Sequence, residues 1–225
     1  MSVTIYGSAL SPFTRKVTLA AIEKGITFAR SDLNPYSPPD NFSAMSPLKR
    51  IPILQDGDYV LNDSSAICAY LDAAYAKTTS SLIPDDPKAR GYVLWIEEYA
   101  DTALFDVISG GVFRPIFINQ LLGKPIDIYT VKETVQHRLP EPLTYLERQL
   151  DGKSYFSENR LTLADVSIYA QLANLEHSKQ LPRADEYPDL IAHYGRLKEL
   201  ASVSQQFERE GQYLAAMLAQ LQSAR

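Results

Sequence analysis

The sequence predicts an α/β domain followed by an all-helical domain. In the first part of the chain, short β-rich runs alternate with helical patterns. The stretch TTSSLIPDDPKAR then forms a polar connector that contains prolines, and beyond it nearly every periodic segment is helical. We therefore place an α/β domain at residues 1–79, a linker at 80–88 and a helical domain at 89–225.

The first strand and the first helix carry clear signals. Val3–Tyr6 is a brief β-rich run, and a turn separates it from a helix that begins at Pro12. Ser11 before this proline and Gly25 after the last apolar position are typical of the two ends of a helix. Ile26–Arg30 follows as the predicted second strand.

A proline-rich segment separates this unit from a hairpin. Residues 33–50 contain four prolines, a density that predicts a surface loop without a strand or a long helix. The runs IPIL and YVL on either side of the turn Gln55–Asp58 predict an antiparallel hairpin. The segment NDSSAICAYLDAAY predicts the next helix.

The second domain repeats apolar residues at helical spacing. Asp165, three residues after Thr162, predicts the start of a helix in LTLADVSIYA, since serine, threonine and acidic residues stabilise helix N-termini. Three other predicted apolar faces comprise Val93, Ile96, Tyr99 or Ala100, and Ala103; Val135, Leu139, Leu143, Leu146 and Leu150; and Leu214, Met217, Leu218 and Leu221.

Composition excludes several classes of function. The chain has 225 residues, a net charge of −5 and no basic stretch, so we expect neither nucleic-acid nor membrane binding. The single cysteine cannot form an internal disulfide, and the N-terminus MSVTIYGS lacks the features of a secretory signal. No apolar run approaches the roughly 18 residues of a membrane-spanning helix. We therefore predict a cytoplasmic protein.

Common catalytic motifs are absent. The sequence contains no GxGxxG, GxxxxGK[ST], GxSxG or HExxH pattern, and its three histidines lack metal-ligand spacing, so we predict no metal site. Cys68 lies between Ile67 and Ala69 and is typical of a small buried hydrophobic residue.

Polar residues at the ends of elements in the first domain are the remaining candidates. They are Ser11, the pair Ile51-Pro52, and the pair Asp63-Ser64. Each has an ordinary explanation, because serine and aspartate are favoured helix caps and proline is tolerated at the start of a strand. Taken singly, these structural explanations are preferred. Their combination in one domain points to a site.

The order of these features resembles the cytosolic glutathione transferases. The resemblance covers the whole chain and rests on SPFTRKV at the start of the first helix, RIPIL, DSSAI and LTLADVSIYA. It implies a thioredoxin-like first domain, an all-helical second domain, glutathione as co-substrate and a homodimer. The serine before the first helix is similar to that of the serine-type classes, and the absence of a nearby cysteine argues against the classes that form mixed disulfides.

The resemblance implies that Ser11 activates the glutathione thiol. A free thiol has a pKa of about 8.5, and both a donated hydroxyl hydrogen bond and a helix N-terminus favour the thiolate. A capping role for Ser11 is compatible with this one. Tyr6 is a less favoured donor because it lies in the preceding strand, and Ser8 and Thr14 are fallback hydroxyls.

The resemblance also implies how glutathione is held. Ile51 would pair its backbone with the cysteinyl part, next to a cis peptide bond at Pro52. Asp63 would face the γ-glutamyl ammonium, and Ser64 with the helix N-terminus would hold the adjacent carboxylate. Either Lys49 or Arg50 would meet the glycyl carboxylate, although basic residues are also common in solvated loops.

An electrophile pocket is expected between the two domains. Its predicted lining is Leu10, Phe13, Phe105, Phe113 and Phe117, although these side chains are equally typical of a core. The favoured function is transfer of glutathione to a small apolar electrophile in detoxification, with isomerisation, dehalogenation and peroxide reduction still open. The alternatives are a glutathione-dependent disulfide or peroxide reductase, and a non-catalytic binding protein of the same fold, against which the retention of Ser11, Asp63 and Ser64 speaks.

Overall fold

The first part of the chain forms a four-stranded sheet with helices. The computed structural model describes residues 3–75, 81–157 and 159–223. Strand β1 pairs in parallel with β2 and antiparallel with β3, and β3 pairs antiparallel with β4, which gives the order β2-β1-β3-β4. The elements are β1 Val3–Gly7, α1 Pro12–Glu23, β2 Phe28–Asp32, α2 Phe42–Met45, β3 Ile53–Asp56, β4 Tyr59–Asn62 and α3 Ser64–Ala74.

Helix α1 begins and ends as the sequence predicts. The Ser11 side chain caps its N-terminus, and Pro12 is its first residue. At the other end, Gly25 has φ +65°, its N–H donates to the carbonyl of Ile22, and the N–H of Ile26 donates to that of Ala21. This pair of bonds is a Schellman motif, in which the residues directly after the helix form its C-terminal cap.

Three strand predictions need correction. The run IPIL predicts a third strand from Ile51, but β3 begins at Ile53. The second strand is Phe28–Asp32 and not Ile26–Arg30, because Ile26 takes part in the C-terminal cap of α1. The hairpin turn is shorter than predicted, since Gln55 pairs with Val60 within the ladder and only residues 57–58 connect the strands. The proline-rich segment contains one turn of helix, α2, as its composition allows.

The second part of the chain is helical. Helix α4 begins at Pro87, inside the predicted linker 80–88, because the Asp86 carboxylate caps it. The predicted boundary between residues 79 and 80 lies outside the described residues. None of the helices in the described ranges is long and apolar enough to cross a membrane. The elements are α4 Pro87–Tyr99, π1 Ala100–Leu104, α5 Phe105–Ile108, π2 Ser109–Ile118, α6 Asn119–Leu121, α7 Ile128–Glu133, π3 Thr134–Arg138, α8 Pro140–Leu150, α9 Leu163–His177, α10 Pro188–Lys198 and α11 Ala201–Ser223, where π marks a π-helical segment.

The continuous helix from α4 to α6 has an unusual repeat. Its fully buried core residues Ala100, Leu104, Ile108 and Val112 recur at every fourth position. An ordinary α-helix turns by 3.6 residues, so a strict four-residue row would drift around it, whereas π-helical turns contain more residues and cancel the drift. The predicted core position Ala103 is therefore wrong: Ala103 is exposed, and Leu104 takes its place.

Candidate active site

A cavity of about 780 Å³ opens between the sheet domain and the helical half. Its walls come from the N-terminus of α1, the loops before α2 and before β3, the helix from π1 to α6, α9 and α11. It is lined by all the predicted site residues except Pro52, Asp63 and Ser64, that is by Leu10, Ser11, Phe13, Lys49, Arg50, Ile51, Phe105, Phe113 and Phe117.

Ser11 lines the cavity at the positive end of the α1 dipole. Its Oγ accepts a hydrogen bond from the Thr14 N–H at 3.3 Å. This bond uses a lone pair and leaves the hydroxyl hydrogen available to donate. Ser11 can therefore cap the helix and donate to a ligand at the same time.

The other hydroxyls near α1 are placed less well. Tyr6 donates its hydroxyl to Gln55 Oε1 at 2.8 Å and does not line the cavity. Thr14 is buried and faces a separate small cleft next to Gly7. Ser8 does line the cavity. Ser8 is thus the one fallback hydroxyl that the structure keeps beside Ser11.

Ile51 offers a backbone edge to the cavity. The Ile51-Pro52 peptide bond is cis, as the family resemblance implies, and Pro52 is buried behind the wall. Neither the N–H nor the C=O of Ile51 has a backbone partner among the described residues. An extended peptide can pair with such an edge as an added strand does.

Asp63 and Ser64 lie at the N-terminus of α3. Asp63 has φ +74°, and its Oδ1 accepts hydrogen bonds of 3.0 Å from the N–H groups of Ser65 and Ala66. Its Oδ2 has no hydrogen bond within the part of the chain that the structure describes. The Ser64 hydroxyl is buried and lies 3.4 Å from Asp101 Oδ2. It therefore points at a neighbouring carboxylate, and Ser64 is not among the residues that line the cavity. Its predicted contact with the γ-glutamyl carboxylate stays a prediction.

Asp101 is a cavity residue that the sequence analysis missed. Its carboxylate joins a buried cluster with Lys16, Glu97 and Ser65: the Lys16 ammonium contacts both carboxylates, and the Ser65 hydroxyl donates to Glu97 Oε1 at 2.5 Å. Burial raises the pKa of the Asp101 carboxyl to about 6, with the Glu97 charge adding to the rise and Lys16 opposing it. The sequence signal that could have indicated this cluster is Lys16, a lysine within an apolar helix, because a buried lysine needs a carboxylate partner.

Lys49 and Arg50 both reach the cavity from the loop before β3. Both side chains are exposed, and neither has an ion pair among the described residues. Lys49 has φ +53°, and the Arg50 backbone is held at both its N–H and its C=O by Ser46 Oγ. The structure therefore keeps two cations near one end of the cavity.

Aromatic side chains form the apolar part of the cavity wall. Phe13 and Phe105 have ring centroids 4.7 Å apart, and Phe113 and Phe117 are 5.0 Å apart. Phe113 and Phe117 also pack with Leu10 and helix α11 in a small core cluster. Phe113 and Phe117 thus belong both to a core cluster and to the cavity wall, and the role of the four rings as an electrophile pocket stays a prediction.

One continuous helix supplies much of this wall in two rows with a four-residue spacing. The first row is Asp101, Phe105, Ser109, Phe113, Phe117 and Leu121, and the second is Thr102, Asp106, Arg114 and Ile118. The π-helical segments π1 and π2 keep both rows turned to the cavity, next to the buried core row. A periodicity of 3.6 residues could not predict this arrangement.

Family models match both parts of the chain. Residues 5–79 match the N-terminal domain of glutathione S-transferases, and residues 127–210 match their C-terminal domain. The chain belongs to the glutathione S-transferase family. The predicted recognition is thereby confirmed over most of the sequence.

Individual glutathione S-transferases agree with this assignment. The chain is 28% identical to a glutathione S-transferase of Hyoscyamus muticus over 85% of this chain and 91% of that protein. It is 30% identical to one of Triticum aestivum over 75% and 76% of the two chains. It superposes on glutathione S-transferase-I bound with lactoylglutathione with a TM-score of 0.79 at 23% identity, over 92% and 98% of the chains. The predicted thioredoxin-like domain and all-helical domain are confirmed.

Proposed function

We propose that this protein is a transferase that ionises the glutathione thiol with Ser11 and directs it at a small electrophile. The observation that carries the proposal is the Ser11 hydroxyl, free to donate on the wall of the cavity at the N-terminus of α1. A hydrogen bond donated to sulfur and the positive end of a helix both favour the thiolate over the thiol. The thiolate is the nucleophile.

Glutathione would lie along the sheet-domain side of the cavity. Its cysteinyl backbone pairs with the free edge of Ile51, which brings the sulfur to Ser11. The γ-glutamyl ammonium faces the free Oδ2 of Asp63 and the Asp101 carboxylate. The γ-glutamyl carboxylate binds at the N-terminus of α3 beside Ser64, and the glycyl carboxylate binds Lys49 or Arg50.

Conjugation then needs no further protein nucleophile. The thiolate sulfur forms a bond to the electrophilic carbon, and the leaving group departs with the electron pair of the broken bond. Burial raises the pKa of Cys68, the only cysteine in the sequence, to about 12, so it takes no part. Matches to named transferases favour conjugation over the disulfide or peroxide reductase and over a non-catalytic protein.

Titration of bound glutathione in the wild type and in Ser11→Ala tests the proposal. We expect the thiolate absorbance of the wild-type complex to titrate well below the free value of about 8.5, and that of Ser11→Ala to return towards it. We also expect kcat to fall about a hundredfold in Ser11→Ala, as when an oxyanion donor is removed. Thermal unfolding separates this loss from the loss of a helix cap, worth about 1 kcal/mol.

Ser8→Ala is the matched control, since Ser8 is the other hydroxyl of this loop on the cavity wall. It should leave the thiol pKa of the complex unchanged. An unchanged pKa in Ser11→Ala, or a rise in Ser8→Ala instead, contradicts the role given to Ser11.

The remaining parts of the proposal rest on the family. They are a homodimeric, cytoplasmic enzyme of detoxification, with domains at 1–79 and 89–225 joined by the linker 80–88. The net charge of −5 and the absence of a basic stretch agree with a small-molecule substrate and not with nucleic acid or an anionic membrane.

A further inference from the structure

Arg114 is an exposed, unpaired cation beside the apolar part of the cavity wall. It stands in the second row of the wall, adjacent in sequence to Phe113 and one helical turn from Phe117 and Ile118. Its guanidinium has no hydrogen bond, ion pair or ring contact within the described ranges. The buried cations of α1, Arg15 and Lys16, are by contrast both paired with carboxylates.

The charges along this wall are separated. Asp101, at the start of the wall, is paired with Lys16. Asp106 lies two helical turns before Arg114 in the same row, roughly 10 Å away along the helix, and no salt bridge joins them. An anion placed near Arg114 is thus far from both carboxylates.

We propose that the electrophile used by this enzyme carries an anionic group, such as a carboxylate, on an apolar aromatic body, and that Arg114 binds that group. This inference rests on the proposed transferase function. The aromatic body packs against Phe113 and Phe117, and the anion lies at the end remote from the reacting carbon. A carboxylate on the ligand forms charge-assisted hydrogen bonds to the Arg114 guanidinium, whereas a wholly apolar ligand gains nothing from it.

A matched pair of electrophiles tests the charge alone. Ethacrynate carries an enone at one end of an aromatic ring and a carboxylate at the other, and its primary amide is a neutral analogue of nearly the same size. In both reactions the thiolate sulfur adds to the terminal alkene carbon, the π electrons move to the carbonyl as an enolate, and the enolate takes a proton from water. The chemistry is thus identical, and only recognition differs.

We expect Arg114→Gln to raise KM for ethacrynate about three- to tenfold while KM for the amide changes less than twofold, because an exposed guanidinium contributes modestly to the binding of a carboxylate. Arg114→Lys, which keeps the charge, should restore most of the affinity for ethacrynate. Arg138→Gln is the control, since Arg138 is an exposed arginine of the helical half outside the cavity. It should behave as the wild type does with both compounds.

Three outcomes overturn the inference. They are equal losses for ethacrynate and the amide in Arg114→Gln, a wild type that uses the amide as well as the acid, and a similar selective loss in Arg138→Gln. Failure of the proposed function looks different. A wild type that conjugates neither compound and does not lower the pKa of the glutathione thiol contradicts the transferase proposal and this inference together.

Discussion

The guanidinium of Arg15 in α1 and the carboxylate of Glu210 in α11 form a fully buried ion pair across 195 residues of sequence. The Arg15 Nη2 to Glu210 Oε2 distance is 2.6 Å, and Nε donates to Oε1 at 2.8 Å. Arg15 also donates to the carbonyl of Ala170 and to Asn174 Oδ1. One side chain of the sheet domain is therefore bonded to two helices of the other half.

Mutual attraction keeps this pair ionised in spite of burial. Burial disfavours both charges, but the Glu210 carboxylate raises the pKa of Arg15, and Arg15 together with hydrogen bonds from His177 and Gln206 lowers the pKa of Glu210. Removing one partner would leave the other charge buried without compensation.

We predict that Glu210→Gln lowers the free energy of unfolding by about 3 kcal/mol or more, because it isolates the Arg15 charge. Urea denaturation followed by circular dichroism measures this loss. The double variant Arg15→Met, Glu210→Leu should recover a large part of it, since apolar side chains can replace a buried ion pair. Asp185→Asn, which breaks the exposed pair with Arg183, is the control and should change stability little. Equal effects of Glu210→Gln and Asp185→Asn would refute the argument.

Asp101 gives a pH dependence with a defined sign. Its carboxyl has a folded-state pKa of about 6, above the value of about 3.9 in an unfolded chain, mainly because it is buried. Between these values the folded protein binds more protons than the unfolded one. The free energy of unfolding of the wild type should therefore fall, relative to that of Asp101→Asn, as pH rises from about 4 to about 6.

Urea denaturation of both proteins at a series of pH values yields this difference, and contributions from other groups such as Glu210 cancel in it. Asp106→Asn, an exposed carboxylate on the same helix, is the matched control and should give a flat difference. A flat curve for Asp101→Asn as well would show that the buried cluster does not shift this carboxyl.

The glycyl end of glutathione can be tested with an ester. We predict that Lys49→Gln with Arg50→Gln raises KM for glutathione about three- to tenfold, a modest effect because both cations are exposed. KM for the glycyl monoethyl ester, which lacks that carboxylate, should hardly change. Steady-state kinetics with one fixed electrophile measures both values, and the two single variants show which cation carries the effect. Parallel increases for glutathione and its ester would place the carboxylate elsewhere.

The sequence was sufficient wherever a local signal decides the structure. Pro12 and Gly25 mark the two ends of α1, and Thr162 with Asp165 marks the start of α9, where Asp165 Oδ2 accepts bonds of 2.8 Å and 2.7 Å from the Thr162 N–H and hydroxyl. Ser11 reached the cavity wall for the same reason, because its position before the helix is fixed locally. Capping rules depend on neighbours in the chain and need no tertiary information.

Long-range contacts explain what the sequence could not show. Arg15 and Lys16 are buried only because Glu210 and Glu97, 195 and 81 residues away, approach them. The orientation of Ser64 towards Asp101 likewise depends on a contact between α3 and the helical half. Strand β2 begins later than predicted because Ile26 takes part in the backbone cap of α1. The buried face of the long helix differs from the predicted one because its π-helical turns change the number of residues per turn.

The π-helical wall separates two tasks that ordinary helices mix. Ala100, Leu104, Ile108 and Val112 pack in the core, while the neighbouring rows line the cavity. Point substitutions in the cavity-lining rows can thus change the substrate preference of the enzyme without repacking the core. A one-residue insertion or deletion within this helix would instead rotate every later side chain by roughly 100° about the helix axis. Residues of the core row would then face the cavity, and residues of the cavity rows would face the core. The fold therefore tolerates changes in the identity of the cavity-lining residues better than changes in the spacing of this stretch.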